Sequence, residues 1–351
     1  MIKILKKIFL KIVNKKKNNN FDFKNTNSVL FKVGDRIGDA VIITSALNQL
    51  RQAFPNIKLG YFVSKHNKFI FENSPLNVVC VNGFWDCLKN RKKWQVIINI
   101  EPAFTSKNLL HWFLLAPQYI ISFPKSYKKY YNKDTVITDL YIEKVCHFSK
   151  ILSLTPFKEF VKDIPVSYVM PPLPKEKQTE VSSLWKKEIK ILVCPKGSYR
   201  KIAPEVLFES IAALSKNRLQ KCHFIFPYTK GIEEYFVLKN IKNCFITFVP
   251  KLDTLSFFAL IKSSDIILSV DSASVHLAVA YKKHLIALFL NYKGNMKCFA
   301  PETNDKTTLI TTKKEYFKAE EIFKDFDIPS ITKSLEKYID IFAKNLSGNQ
   351  I

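Results

Sequence analysis

IILSVDSASVHLAVAYKKHLIALF, residues 266–289, is the stretch on which the fold turns. An apolar run, Ile266–Val270, stops at Asp271 and the small residues Ser272, Ala273 and Ser274. A helical stretch, Ser274–Tyr281, follows, and a second β-rich run, Leu285–Phe289, closes the segment. Two buried strands joined through a helix are a βαβ unit, which pairs its strands in parallel. Upstream the pattern repeats. Strands are expected at Ile189–Cys194, Cys222–Phe226 and Cys244–Val249, with helices at Pro204–Lys216, Ile232–Lys239 and Leu252–Ser263.

The first half alternates in the same way. Strands are expected at Val29–Val33, Lys58–Val63, Val78–Val81 and Trp94–Ile98, with helices at Asp39–Phe54 (closed by Pro55) and near Asp139–Leu152. MPPLPKEKQ, residues 170–178, is proline-rich and polar, which suits a linker. The expected division is a leader and tether at 1–27, one Rossmann-like domain at 28–165, a linker at 166–188, a second Rossmann-like domain at 189–329, and a last helix at 330–351. That helix is expected to cross back to the first domain. The fold class is α/β, with two parallel sheets facing across a cleft.

Composition narrows the partners. Lys+Arg is 55 against 30 Asp+Glu, a net charge of +25, which favours anionic surfaces and phosphorylated ligands. The longest apolar run, His111–Phe123, contains Pro117 and falls short of the roughly 20 residues a membrane span needs. Seven cysteines show no CxxC pair, which reads as reduced core thiols of a cytosolic protein. No zinc finger, RNP motif or zipper accompanies the charge, so nucleic acid is not the expected partner.

The leader MIKILKKIFLKIVNKKK (1–17) holds seven lysines and no acid. At about 100° per residue, Ile4, Leu5, Ile8, Phe9, Ile12 and Val13 share one half of a helix, and Lys3, Lys6, Lys7 and Lys11 the other. Such a helix can lie in an anionic membrane interface or dock on its own protein. Asn14–Asn27 reads as a flexible tether.

Ligands of open α/β sheets bind beyond the carboxyl ends of the strands. Four loops stand there. GDRIGD (34–39) sets Gly34 and Gly38 around Arg36 and brings Asp39 to a helix start, where an N-cap is the ordinary role. CPKGSYRKIAP (194–204) sets Lys196, Arg200 and Lys201 around Gly197 and Ser198, ahead of a helix opened by Pro204, a setting suited to phosphate. Glu233 and Glu234 open a helix after the strand ending at Phe226; a carboxylate there either offsets the dipole or holds a ribose. In DSASVH (271–276), Ser272, Ala273 and Ser274 let a pyrophosphate reach backbone N–H groups, with His276 one turn on.

In this order the loops resemble glycosyltransferase family 9, the lipopolysaccharide heptosyltransferases. The likeness lies in VLFKVGDRIGDAVIITSALNQLRQAFP (29–55), in 191–208 and in VDSASVHLAVAYKKHLIALF (270–289). It implies a GT-B fold and an inverting transfer from ADP-L-glycero-D-manno-heptose to a lipid A–Kdo type acceptor at the cytoplasmic face of the inner membrane of a Gram-negative bacterium, with no bound metal. Asp39 would match the general base and Lys201 the cation at the leaving diphosphate. Gly197, Ser198, Asp271, Ser272, Ala273, Ser274 and His276 would match the nucleotide-sugar site, with Glu233 or Glu234 at the ribose. Gly38 and Arg36 are the acceptor-side candidates, Arg36 for an acceptor carboxylate or phosphate. Ser272-Ala273 stands where the family usually has Thr-Gly, and the leader lies outside the common pattern. A different sugar nucleotide and a GT-B epimerase are the nearest alternatives.

Overall fold

Two parallel sheets with the same strand order organise the chain. The structure is a computed structural model and describes residues 2–197, 200–316 and 322–348. It divides into two units between Pro172 and Leu173, inside the stretch expected to link them.

The first unit runs α1 (Ile2–Val13), β1 (Ser28–Lys32), α2 (Ile37–Ala53), β2 (Lys58–Phe62), α3 (Lys68–Glu72), β3 (Val78–Val81), α4 (Gly83–Lys89), β4 (Val96–Asn99), α5 (Ser106–Leu115), β5 (Tyr119–Ser122), β6 (Leu140–Tyr141) and α6 (Lys158–Val161). Its sheet is ordered β3-β2-β1-β4-β5-β6, every pair parallel. The strand order reverses between β1 and β4, which opens a crevice at their carboxyl ends. β1 is buried along its whole length, so its apolar run needs no alternation.

Two sequence readings change here. Asp139–Leu152 is not a helix: it contains β6, and Phe148–Leu154 is a 3-10 turn. The reason lies at Asp139, whose carboxylate accepts from the Ile120 N–H (2.6 Å) and from Lys15 (2.6 Å), clamping the chain at the sheet edge. Residues 14–27 are pinned rather than a loose tether. Asn14 donates to Thr135 O (2.9 Å), the Asn18 N–H donates to Asp139 (2.6 Å), and Phe21 and Phe23 pack on Tyr119 at 5.2 and 5.1 Å.

The second unit runs α7 (Lys175–Ser182), β7 (Ile189–Cys194), β8 (Lys201–Ile202), α8 (Pro204–Ala212), α9 (Lys216–Lys221), β9 (Cys222–Pro227), α10 (Ile232–Lys239), β10 (Phe245–Val249), α11 (Thr254–Ser263), β11 (Ile266–Val270), α12 (Ala273–Ala280), β12 (His284–Asn291), α13 (Lys293–Phe299), β13 (Thr307–Glu315), β14 (Ile322–Phe323) and α14 (Ile328–Gly348). Its sheet, β10-β9-β7-β11-β12-β13, repeats the first order, with the switch between β7 and β11. A two-stranded parallel pair, β8 with β14, stands apart.

α14 packs on the second unit. Ile331, Leu335, Tyr338 and Ile339 are buried in the second unit's core, and Arg218 on α9 holds Asp340 at 2.9 Å and Glu336 at 2.7 Å. Four large side chains in that core tie the helix to its own unit, at about 2–5 kcal/mol for each truncated to Ala. Among the described residues, no helix is long and apolar enough to cross a membrane.

Candidate functional site

In the first unit, the loop after β1 turns tightly into α2. The helix begins at Ile37, with Arg36 as its N-cap residue in extended conformation and no side-chain cap bond. Asp39 is therefore the third residue of the first turn and not the cap that its position suggested. The loop folds back so that the Asp39 carboxylate lies against Gly34, where any Cβ would collide with it. Gly34 thus leaves that carboxylate its place, and a Cβ there would make it turn aside. Tyr61, fully buried, donates to Gly34 O at 3.4 Å, and Ser64 donates to Asp35 O at 2.9 Å. Burial first, then the Asp39 charge, raises the Tyr61 phenol far above its ordinary range, so it stays a neutral donor. Gly38 is half-buried in the first turn, and Arg36 is exposed at the loop's outer edge.

A polar cluster that the sequence reading missed lies under the same crevice. Lys32, Asn99 and Ser122 sit side by side on β1, β4 and β5. The Lys32 ammonium donates to His111 Nδ1 (3.1 Å), lies over the Phe62 ring (4.0 Å), and faces Glu101 at 4.0 Å. Burial pushes Lys32 down to about 8 and His111 down to about 4. Lys125 donates to Asn99 O (2.9 Å) and Glu101 O (2.5 Å), and burial brings it to about 7. The Asn99 amide is fully buried, with neither side-chain atom hydrogen-bonded. The sequence signalled one member only: Lys32 is a charged residue in an otherwise apolar run, where charge is costly unless paired, and its partners come from other segments.

In the second unit lie the other three of the four loops, those after β7, β9 and β11. The strand β7 leads into a turn held by the Gly197 N–H donating to Arg200 O (2.7 Å). A Cβ at Gly197 would stand 2.7 Å from Asp271 O and 3.1 Å from Ser272 Cβ, so the two loops touch where Gly197 lacks a side chain. Arg200 crosses the same gap and forms an ion pair with the Asp271 carboxylate, which is 8% exposed. Ser198 lies outside the described residues.

Lys201 belongs to β8 and reaches the third loop, donating to Lys230 O at 2.6 Å. Its ammonium also approaches Gly231, whose φ of +83° suits a residue without Cβ. Glu234 accepts from the Gly231 N–H at 2.8 Å and closes the start of α10. Glu233, its exposed neighbour, is not part of that cap.

The fourth loop gathers hydroxyls. Ser274 lies 2.5 Å from Ser272 and 2.6 Å from Ser269, oxygen to oxygen. Ala273 opens α12, whose backbone N–H groups leave the helix next to these hydroxyls. His276 is buried on the first turn, its ring 6.4 Å from Phe299. Beneath the turn, burial pushes the Cys194 thiol up to about 12, so it is inert packing beside Ser274. Gly197, Asp271, Ser272, Ala273 and Ser274 therefore share one rim, which Arg200 joins, while Lys201, next to Arg200 in the chain, sets its ammonium on the neighbouring loop at Lys230. The rim offers an anion hydroxyls and a helix N-terminus, with the lysine one loop away. Among the described residues, no group of three His, Cys, Asp or Glu side chains is placed to hold a metal ion.

Comparison with known proteins bears on this geometry. Residues 159–326 match the family model of glycosyltransferase family 9 (heptosyltransferase). A protein of Escherichia coli (strain K12), provisionally named lipopolysaccharide heptosyltransferase 4, is 26% identical over 286 residues, which span 73% of this chain and 72% of that one. The solved structure of E. coli ADP-heptose lipopolysaccharide heptosyltransferase II has a TM-score of 0.66 at 11% identity, over 90% of this chain and 99% of the other. A glycosyl transferase family 9 structure from Veillonella parvula DSM 2008 has a TM-score of 0.65 at 15% identity, over 92% and 100%. Both structures share this fold.

Proposed function

The chain belongs to glycosyltransferase family 9, is a glycosyltransferase of the GT-B fold, and from that premise we propose its reaction. It transfers heptose from ADP-L-glycero-D-manno-heptose to the inner core of lipopolysaccharide or lipooligosaccharide, with inversion. The observation that supports this best is the second unit's rim, where Arg200–Asp271 and the Ser272–Ser274 turn meet, with Lys201 one loop away. Its relatives' names supply the sugar and the base.

In the reaction an acceptor hydroxyl oxygen attacks the anomeric carbon as the bond from that carbon to the diphosphate oxygen breaks. Asp39 accepts the hydroxyl proton, and the diphosphate leaves with the bonding pair. Lys201 neutralises the charge gathered on it, and the turn Ser272–Ala273–Ser274 donates N–H and O–H groups to the pyrophosphate, with Gly197 leaving room and His276 bracing the helix. Glu233 holds the ribose hydroxyls, since Glu234 is engaged by its cap. No metal takes part. Arg36 pairs with a carboxylate or phosphate of a lipid A–Kdo type acceptor, and Gly38 allows its approach. The enzyme works at the cytoplasmic face of the inner membrane, held to its anionic surface by residues 1–17.

Thermal shifts with ADP, UDP, GDP and CMP test the donor. At 100 times its Kd a specific nucleotide adds roughly 2.7 kcal/mol. A shift with ADP alone supports the reading, and an assay on Kdo-lipid A then tests the acceptor. A shift with another nucleotide instead would move the donor, and silence with all four would remove the site.

A further inference from the structure

α1 is not covered by its own protein on every side. Leu10 and Val13 are buried against the first unit, and Phe9 packs beside them. Ile4, Leu5, Ile8 and Ile12 remain exposed, Ile4 at 62%, while Lys7 and Lys11 stand on the remaining arc. A helix that only docked on its own protein would need one apolar stripe; this one has two.

A second apolar surface is built from α4, some 70 residues later. Phe84, Trp85 and Leu88 are exposed, Trp85 at 69%, with the Phe84 and Trp85 rings 5.2 Å apart and edge-on. Lys89, Arg91, Lys92 and Lys93 follow them directly and are exposed. Aromatic residues beside a cluster of cations form the pattern that suits an interface between acyl chains and anionic headgroups.

The two surfaces belong to one layer. Cys87 of α4, Leu109 and Trp112 of α5, and Leu10 of α1 are all buried in the core beneath a single face of the first sheet, so the three helices lie on that face. α5 joins the others. Its exposed Phe113 lines a cavity of about 240 Å³ with Ile12 of α1 and Arg91, and Arg91 donates to Phe113 O at 2.9 Å. We infer that α4, α5 and α1 together form a docking platform for an anionic phospholipid bilayer, in which Phe84, Trp85 and Leu88 insert beside the apolar ridge of α1. The charge on both flanks selects a lipid surface over a second copy of this equally basic chain. The platform extends the membrane role given above to residues 1–17, yet its α4 half stands on separate observations.

Full-length protein titrated with vesicles of phosphatidylcholine and phosphatidylglycerol tests it. Phe84→Ser with Trp85→Ser should weaken binding about tenfold while leaving the melting temperature unchanged, because both side chains are exposed. Trp85 is the exposed one of four tryptophans; Trp94, Trp112 and Trp185 are buried. Lipids with brominated acyl chains should therefore quench wild-type emission, and Trp85→Phe should bind while losing that quenching. A variant with Ile4, Ile8 and Ile12 changed to Ser separates the two readings. If it alone loses binding, the leader anchors the protein and the α4 inference is overturned. If both variants weaken binding, the platform holds; if the α4 variant alone does, the leader reading falls and so does α1's share in the platform. Unchanged binding by the α4 variant, or a wild-type dimer that this variant splits without altering vesicle binding, would also overturn it.

Discussion

The guanidinium of Arg200 grips the carboxylate of Asp271 across the switch point of the second sheet, tying the loop after β7 to the loop after β11. Both side chains are largely buried, so the pair fixes loop geometry at the place where the strand order reverses. An ion pair of this kind is weak evidence of stability; what it does show is that the two loops touch.

Arg200→Met should cost up to about 3 kcal/mol, since it removes the cation facing a nearly buried carboxylate. The double variant Arg200→Met/Asp271→Asn should recover part of that loss, because the lone charge goes too. Chemical denaturation of wild type, Arg200→Met, Asp271→Asn and the double variant reads the cycle. Strict additivity would show that the pair is not coupled.

Asp39→Asn keeps the shape and removes the proposed base. Transfer should fall by about 10² to 10⁴ in kcat, with the nucleotide-induced thermal shift intact. Gly34→Ala should act on the same group indirectly, because the new methyl meets the Asp39 carboxylate. Its kcat should fall with little change in nucleotide affinity. Full activity in Gly34→Ala would mean that the carboxylate's placement does not matter.

Lys201→Met should lower kcat by about 10² to 10³ and weaken nucleoside diphosphate binding, while a nucleoside without phosphate binds both proteins alike. Isothermal titration with the two ligands makes the comparison. Equal loss for both would mean that the lysine shapes the loop through its bond to Lys230 O rather than meeting phosphate.

Burial holds Lys125 at about 7 and Lys32 at about 8, against an ordinary 10.5. Between the folded and unfolded values the unfolded chain binds protons that the folded chain has shed. Their contribution to stability therefore rises with pH from about 7 to about 10.5 and is flat below that window. Thiols and phenols titrate there too, so the useful quantity is wild type minus Lys125→Met. That difference should grow with pH from 7 to 10 in denaturant melts. A difference independent of pH would show that Lys125 is not held neutral.

Much of this was legible from residue order. β3, β7, α10 and β11 fall at the bounds expected from residue order: β7 and β11 are buried apolar runs stopped by Pro195 and Asp271, and α10 lies between Gly231 and Asn240. Edge elements were not. β13 (Thr307–Glu315) is threonine- and lysine-rich, and only its pairing with β12 makes it a strand. The pyrophosphate-type turn could be read because small residues and hydroxyls stand together in the chain. The Lys32, Asn99, Glu101, His111 and Lys125 cluster could not, since its members come from four separate segments and meet only when the strands are in register. Arg200 was seen as one more basic residue; its partner lies 71 positions away.

The short pairing of β8 with β14 has an engineering meaning. Lys201 sits opposite Ile322, and the Ala203 N–H donates to Phe323 O at 2.7 Å, so the lysine proposed for the leaving group rests on a segment more than a hundred residues downstream. β14 is in turn followed directly by α14, which is clamped to α9 through Arg218. A tag or truncation at the carboxyl terminus is thus not remote from the proposed donor site, because loosening the last helix slackens the segment on which this lysine rests.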